Sequence, residues 1–133
     1  MRYLLDTNII SDVINLPTGQ VAAKIRQEAL RASIVTSILV VSELRYGYTK
    51  ISSKRLKAAY EMFFENLVIE SWETPFDHVY ADMRSALEER GKPIGAMDML
   101  IAAHALATDA TIVTANVRHF SQVPDLKVEN WKN

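Results

Sequence analysis

The stretch Tyr3-Leu4-Leu5-Asp6-Thr7-Asn8 decides the fold. Mostly apolar residues run straight into a carboxylate and then into two short polar side chains. A strand this apolar, reached this early, reads as the central strand of a parallel sheet, buried on both faces. Asp6 then falls at its carboxyl end, where open α/β sheets bind ligands. Thr7 and Asn8 suit a turn that opens a helix. Asp6 alone has two readings, a helix N-cap or a functional acid.

Working outward, helical and strand patterns alternate. Ile9 to Leu16 reads as a short helix stopped by Pro17, and Val21, Ala22, Ile25, Ala29 and Ala32 recur at helical spacing. Ile34-Val35-Thr36 predicts a second strand, and Ser37 caps a helix running through Glu43 and Leu44 to near Gly47. Thr49 to Arg55 is a polar, basic turn. Leu56, Ala59, Tyr60, Phe63, Phe64 and Leu67 form one apolar stripe, read as packing. Leu67-Val68-Ile69 predicts a third strand. Thr74 is expected to cap the next helix, with Pro75 at its first position and Gly91 at its end. Lys92-Pro93-Ile94-Gly95 is a tight connection. The helix Ala96 to Ala107 is apolar nearly all round and so buried. Thr111 to Thr114 predicts a fourth strand and Leu126 to Glu129 a fifth, at an edge. This order implies an α/β chain: a three-layer α/β/α sandwich around a parallel sheet of four to five strands, in one domain spanning residues 1–133.

Composition narrows the classes. The 133 residues suffice for one domain. A net charge of −1 argues against a whole-surface grip on nucleic acid. The chain has no cysteine, which excludes disulfides and thiolate chemistry. No apolar run approaches the roughly 20 residues that span a bilayer, and no export signal is visible. The expected setting is cytoplasmic, with no membrane partner.

Most acids have local cations. Glu28 has Lys24 and Arg31, Glu61 follows Lys57, and Glu88 follows Arg84. Glu43 and Asp98 have none at helical neighbour positions, and Asp6 sits behind an apolar strand. A lone buried carboxylate normally takes up a proton. Held together, three would call for a hard divalent cation such as Mg2+ or Mn2+. Singly, each could equally be a cap or half of a distant ion pair.

Four motifs in order then resemble one family: Leu5-Asp6-Thr7-Asn8-Ile9-Ile10; Ser42-Glu43-Leu44 with Tyr46-Gly47; Ile94 to Ala105 around Asp98; and Val113-Thr114-Ala115-Asn116 followed by Arg118-His119-Phe120 and Val123-Pro124. The chain resembles the PIN-domain ribonucleases, specifically the VapC-type toxins of toxin–antitoxin pairs. The resemblance implies an endoribonuclease dependent on Mg2+ or Mn2+, with Asp6, Glu43 and Asp98 as catalytic, metal-binding acids. Thr7, Asn8, Thr114 and Asn116 would line the pocket. It implies a structured RNA substrate such as tRNA, a homodimer, and an antitoxin that covers the helices near Glu43 and links the pair to DNA. Many relatives carry a further acid after the fourth strand. Here Asn116 is neutral, which leaves the number of metal ions open. Arg45 and Arg118 are candidate phosphate contacts. His104 reads as a core or interface histidine, and His78 and His119 show no ligand spacing.

Two rivals carry different signatures. A haloacid-dehalogenase-like phosphatase would want a second Asp where Asn8 stands. A catalytically weak module for partner binding or DNA regulation would be expected to lose an acid, and only Asn116 points that way.

Overall fold

The computed structural model describes residues 1–91 and 94–132. Five strands form one all-parallel sheet in the order β3-β2-β1-β4-β5. They are β1 (Arg2–Leu5), β2 (Ser33–Ser37), β3 (Val68–Glu70), β4 (Thr111–Val113) and β5 (Val128–Glu129). The helices are α1 (Thr7–Asn15), α2 (Gln20–Glu28), α3 (Ile38–Lys50), α4 (Lys54–Glu65), α5 (Phe76–Glu89), α6 (Ala96–Ala107) and α7 (Val117–Phe120). This is the expected α/β sandwich.

Apolar sequence explains the centre. Leu4, Leu5, Ile112 and Val113 have no exposed surface, so β1 and β4 are buried on both faces. α1 packs against α2, α3 and α4, and α5 packs against α6. The chain builds β1, β2 and β3 outward on one side, then returns to place β4 and β5 on the other. The order reverses between β1 and β4, which makes their carboxyl ends the switch point where such sheets open a crevice.

Several local expectations need adjusting. α3 continues past Gly47 to Lys50, because a single glycine in a helix costs only about 1 kcal/mol. Ser37 caps it as expected, accepting a bond from the Leu39 N–H. Thr74 does not cap α5. The Phe76 N–H bonds to the Glu73 carbonyl in a turn, so Pro75 takes the cap position. Gly91 follows α5 at φ +66°, where a side chain is disfavoured. The short helix α7 carries too few residues to show a period. In the tight connection, Lys92 and Pro93 lie outside the described residues. Glu61 pairs with Arg45 rather than Lys57. Glu28 takes both expected partners, and the Arg31 guanidinium beside it lowers its pKa to about 2.

His104 is a core histidine. It is fully buried on α6, with its ring 4.8 Å from that of Phe76. Neither ring nitrogen has a hydrogen-bond partner among the described residues. Its Nε2 lies 3.4 Å from Glu70, whose carboxylate is paired with Arg2. Burial, with the positive charge of Arg2 adding to it, lowers its pKa from 6.5 to about 4. The unfolded chain therefore takes up a proton below pH 6.5 that the fold refuses until about pH 4. The stability tied to this residue is complete above pH 6.5 and is lost as pH falls toward 4. Its size is about 3 kcal/mol. Urea unfolding at about pH 7.5 and about pH 4.5, on either side of that loss, should show a smaller acid loss in His104→Leu than in the wild type. Equal losses would disprove it.

Candidate active site

Asp6 follows β1 directly and caps α1, so the candidate acid is also the helix cap. It is 2% exposed. Its Oδ1 accepts from the Thr7 N–H at 2.8 Å, and its Oδ2 accepts from the Thr114 hydroxyl at 2.8 Å and the Asn8 amide at 3.2 Å. Asn8 also accepts from the Ala115 N–H at 2.8 Å, and Thr114 accepts from the Asn116 N–H at 2.9 Å. These bonds lace the end of β1 to the end of β4. Thr7, Asn8, Thr114 and Asn116 all take part in this lacing around Asp6.

Asp98 lies in the first turn of α6, with its side chain 25% exposed. Its Oδ2 is 3.4 Å from Nδ1 of His119, which is 3.0 Å from the Asn116 amide. Asp98, His119, Asn116, Thr114 and Asp6 are thus linked in one chain of polar contacts. His119, which shows no metal-ligand spacing in the sequence, joins the candidate site through its contact with Asp98. Its place just beyond the loop that holds Asn116 was the available signal.

The electrostatics tie in the third acid. Burial raises the pKa of Asp6, its hydrogen bonds pull it back, and the charge of Asp98 raises it again. Glu43, half-buried on α3, is raised first by burial and then by the charges of Asp6 and Asp98. No ion pair with a described Lys or Arg relieves either acid.

Among the described residues, no three His, Asp or Glu side chains close on a single point as a complete metal cage. The donor set still suits a hard cation. Magnesium demands few protein ligands, keeps several waters, and is commonly held by one or two carboxylates. The charge of Asp98 acts on Asp6, and the charges of both act on Glu43, so the three candidate acids lie within one another's field.

The two candidate phosphate contacts behave differently. Arg45 bonds Glu61 twice, at 3.1 and 3.0 Å, and lies over the Phe64 ring. Arg118 is exposed and forms no ion pair with a described residue. Of the stripe's aromatics, Tyr60 and Phe64 are buried in the core, while Phe63 is partly exposed and lines an apolar groove with Ala59 and Leu67.

A PIN domain profile matches residues 3–126. The chain belongs to the PIN-domain family. Ribonuclease VapC2 of Rickettsia felis is 36% identical over 132 residues, covering 98% of both chains. The tRNA(fMet)-specific endonuclease VapC of Salmonella typhimurium is 28% identical over the same length. Among solved structures, the Rickettsia felis VapBC2 complex bound to a promoter DNA fragment superposes with a TM-score of 0.92 at 35% identity. That match covers 98% of this chain and 99% of the other. This PIN domain is therefore a relative of VapC toxins throughout its described length. No described helix is long and apolar enough to cross a membrane.

Proposed function

We propose that this PIN domain is an endoribonuclease dependent on Mg2+ or Mn2+, and the toxin half of a toxin–antitoxin pair. One observation carries the reading. Mutually repelling carboxylates stand at the sheet's switch point, and no ion pair with a described Lys or Arg relieves Asp6 or Glu43. When bound by Asp6 and Asp98, a divalent ion supplies Lewis-acid activation of water and neutralises charge on the scissile phosphate. The protein's own part is positioning. Thr114, Asn8 and the Thr7 N–H fix both oxygens of Asp6. Glu43 accepts no described hydrogen bond and is free to turn toward a water or the ion. His119 and Asn116 steady Asp98 in the place where many relatives carry an acid.

A structured RNA such as tRNA is the substrate class that the named Salmonella relative supports. The test uses the purified chain with a tRNA and an unstructured oligoribonucleotide. Cleavage is expected with Mn2+ or Mg2+ and is expected to stop with EDTA. No cleavage with either ion would overturn the reading and favour the non-catalytic module, the alternative that neutral Asn116 supports.

The antitoxin seat is an apolar groove of about 620 Å³ between α1, α2 and α4, lined by Val13, Ile14, Ile25, Ala59 and Phe63 among others. Leu16 and Met62, also apolar, are exposed beside or within it. An exposed apolar groove of this size fits a partner chain, and the solved VapBC relatives are complexes. Ala59→Glu should abolish capture of the cognate antitoxin while leaving RNA cleavage intact. Unchanged capture, or loss of a homodimer instead, would reassign the groove.

A further inference from the structure

One face of α3 runs on from Glu43 away from the cleavage site. Glu43, Tyr46, Gly47 and Lys50 are spaced i, i+3, i+4 and i+7, so they share it. Tyr46 is 67% exposed although it is a large aromatic, and Lys50 is exposed and reaches over its ring at 6.0 Å. Past Lys50 the chain turns into α4 through Ser52 and Ser53, and Lys54 and Lys57 line a recess there with Tyr48 and Thr49. Between Glu43 and Glu61 there are Arg45, Lys50, Lys54, Arg55 and Lys57 and no acid, although the whole chain has a net charge of −1. Arg45 is spent on Glu61, while the other four cations are exposed and make no ion pair with a described residue.

Gly47 is an independent sign. Helix interiors disfavour glycine, and one is retained where a side chain would clash or where something approaches the bare backbone. A Cβ built at Gly47 meets nothing within 4 Å, and its φ is not positive. Neither packing nor backbone geometry calls for glycine here. The remaining physical reason is a close approach from outside the chain, one turn from Glu43 on the same face.

We propose that this face of α3 and the α3–α4 turn form the path by which a single strand of RNA leaves the cleavage site. A base stacks on Tyr46, the sugar-phosphate chain passes over the bare backbone at Gly47, and Lys50, Lys54 and Lys57 hold the phosphates beyond. Aromatic platforms beside cations are how proteins hold single strands without reading sequence. The distance from Glu43 to Lys50 is about 10 Å along the helix, at about 1.5 Å per residue. Contacts there act on the substrate flank and not on the scissile bond. The inference rests on the ribonuclease reading.

The test compares the full-length wild type with Gly47→Ala, Tyr46→Ala and the triple variant Lys50→Gln, Lys54→Gln, Lys57→Gln. Anisotropy of a fluorescein-labelled single-stranded oligoribonucleotide is measured in EDTA at several salt concentrations, so that binding is read without catalysis. The triple variant should bind roughly tenfold more weakly or worse, and its log–log salt slope should drop by about 0.7 for each phosphate no longer neutralised. Gly47→Ala should raise Tm, by helix propensity, while weakening RNA binding. That opposite pair of signs is not expected of a purely structural glycine. With Mn2+, KM for the long RNA should rise while kcat stays within about twofold, because flank contacts that act equally on ground and transition states change binding alone. Cleavage of a dinucleotide should be unaffected. RNA binding equal to wild type in all three variants would overturn the inference, as would no wild-type binding in EDTA. Weakened antitoxin capture with normal RNA binding would also overturn it and give the face to the protein partner. If the wild type cleaves RNA while the variants behave normally, only this inference fails. If the wild type cleaves no RNA, the parent reading fails.

Discussion

Asp98→Asn is expected to lower the rate of RNA cleavage about 10³-fold. The amide keeps the size of the side chain and its contact with His119 but removes the charge that holds a cation. Metal stabilisation of a phosphoryl transition state is several kcal/mol, and about 4 kcal/mol corresponds to three powers of ten in rate. The fold should not suffer. Asp98's charge raises the pKa values of both Asp6 and Glu43, so removing it relieves two neighbours. Measured in EDTA, Tm should hold or rise, while the rise in Tm that Mn2+ gives the wild type should vanish. A variant that keeps more than a tenth of the activity, with the same Mn2+ response, would remove Asp98 from the site.

Thr114→Val should cost both stability and rate. The Thr114 hydroxyl is fully buried, donates to Asp6, and accepts from the Asn116 N–H. Valine fills the same volume but takes from Asp6 Oδ2 the shorter of its two hydrogen bonds, leaving only the Asn8 amide, and strands the Asn116 N–H. Unsatisfied buried groups cost about 1–3 kcal/mol. Urea unfolding should therefore show a drop of about 2 kcal/mol. The rate should fall about 10- to 100-fold, as expected when a partner that orients a ligand is removed. Thr114→Ser keeps the oxygen and should recover most of both. If valine is tolerated within about 0.5 kcal/mol, the scatter of an inconsequential substitution, at full activity, the lacing between β1 and β4 has no role.

The fold was legible because its signals are local. An apolar run into Asp6, a Ser37 cap and an all-round apolar α6 each follow from a few adjacent residues. The mouth of the site was half legible. Glu43 and Asp98 stood out by lacking helical neighbours of opposite charge, and Asp6 by closing an apolar strand, which are local signals. What fills their surroundings is non-local. The pairing of Arg45 with Glu61 depends on how α3 meets α4, and Lys57 looked the nearer partner along the chain. His119 reaches Asp98 only because α7 folds back beside α6. No periodicity reports a four-residue helix, and no spacing rule links residues 98 and 119. Thr74 failed as a cap because a backbone turn satisfied the N–H that its side chain would have taken.

The middle strand takes its two neighbours from far apart in the sequence: β1 pairs with β2 and with β4, so Leu5 lies beside Val113. A ribosome must therefore pass residue 113 before the first strand acquires its second neighbour. Until Thr114 has emerged, Asp6 lacks the hydroxyl that fixes it. A fragment that stops before β4 therefore has neither the second neighbour of β1 nor the donor that fixes Asp6.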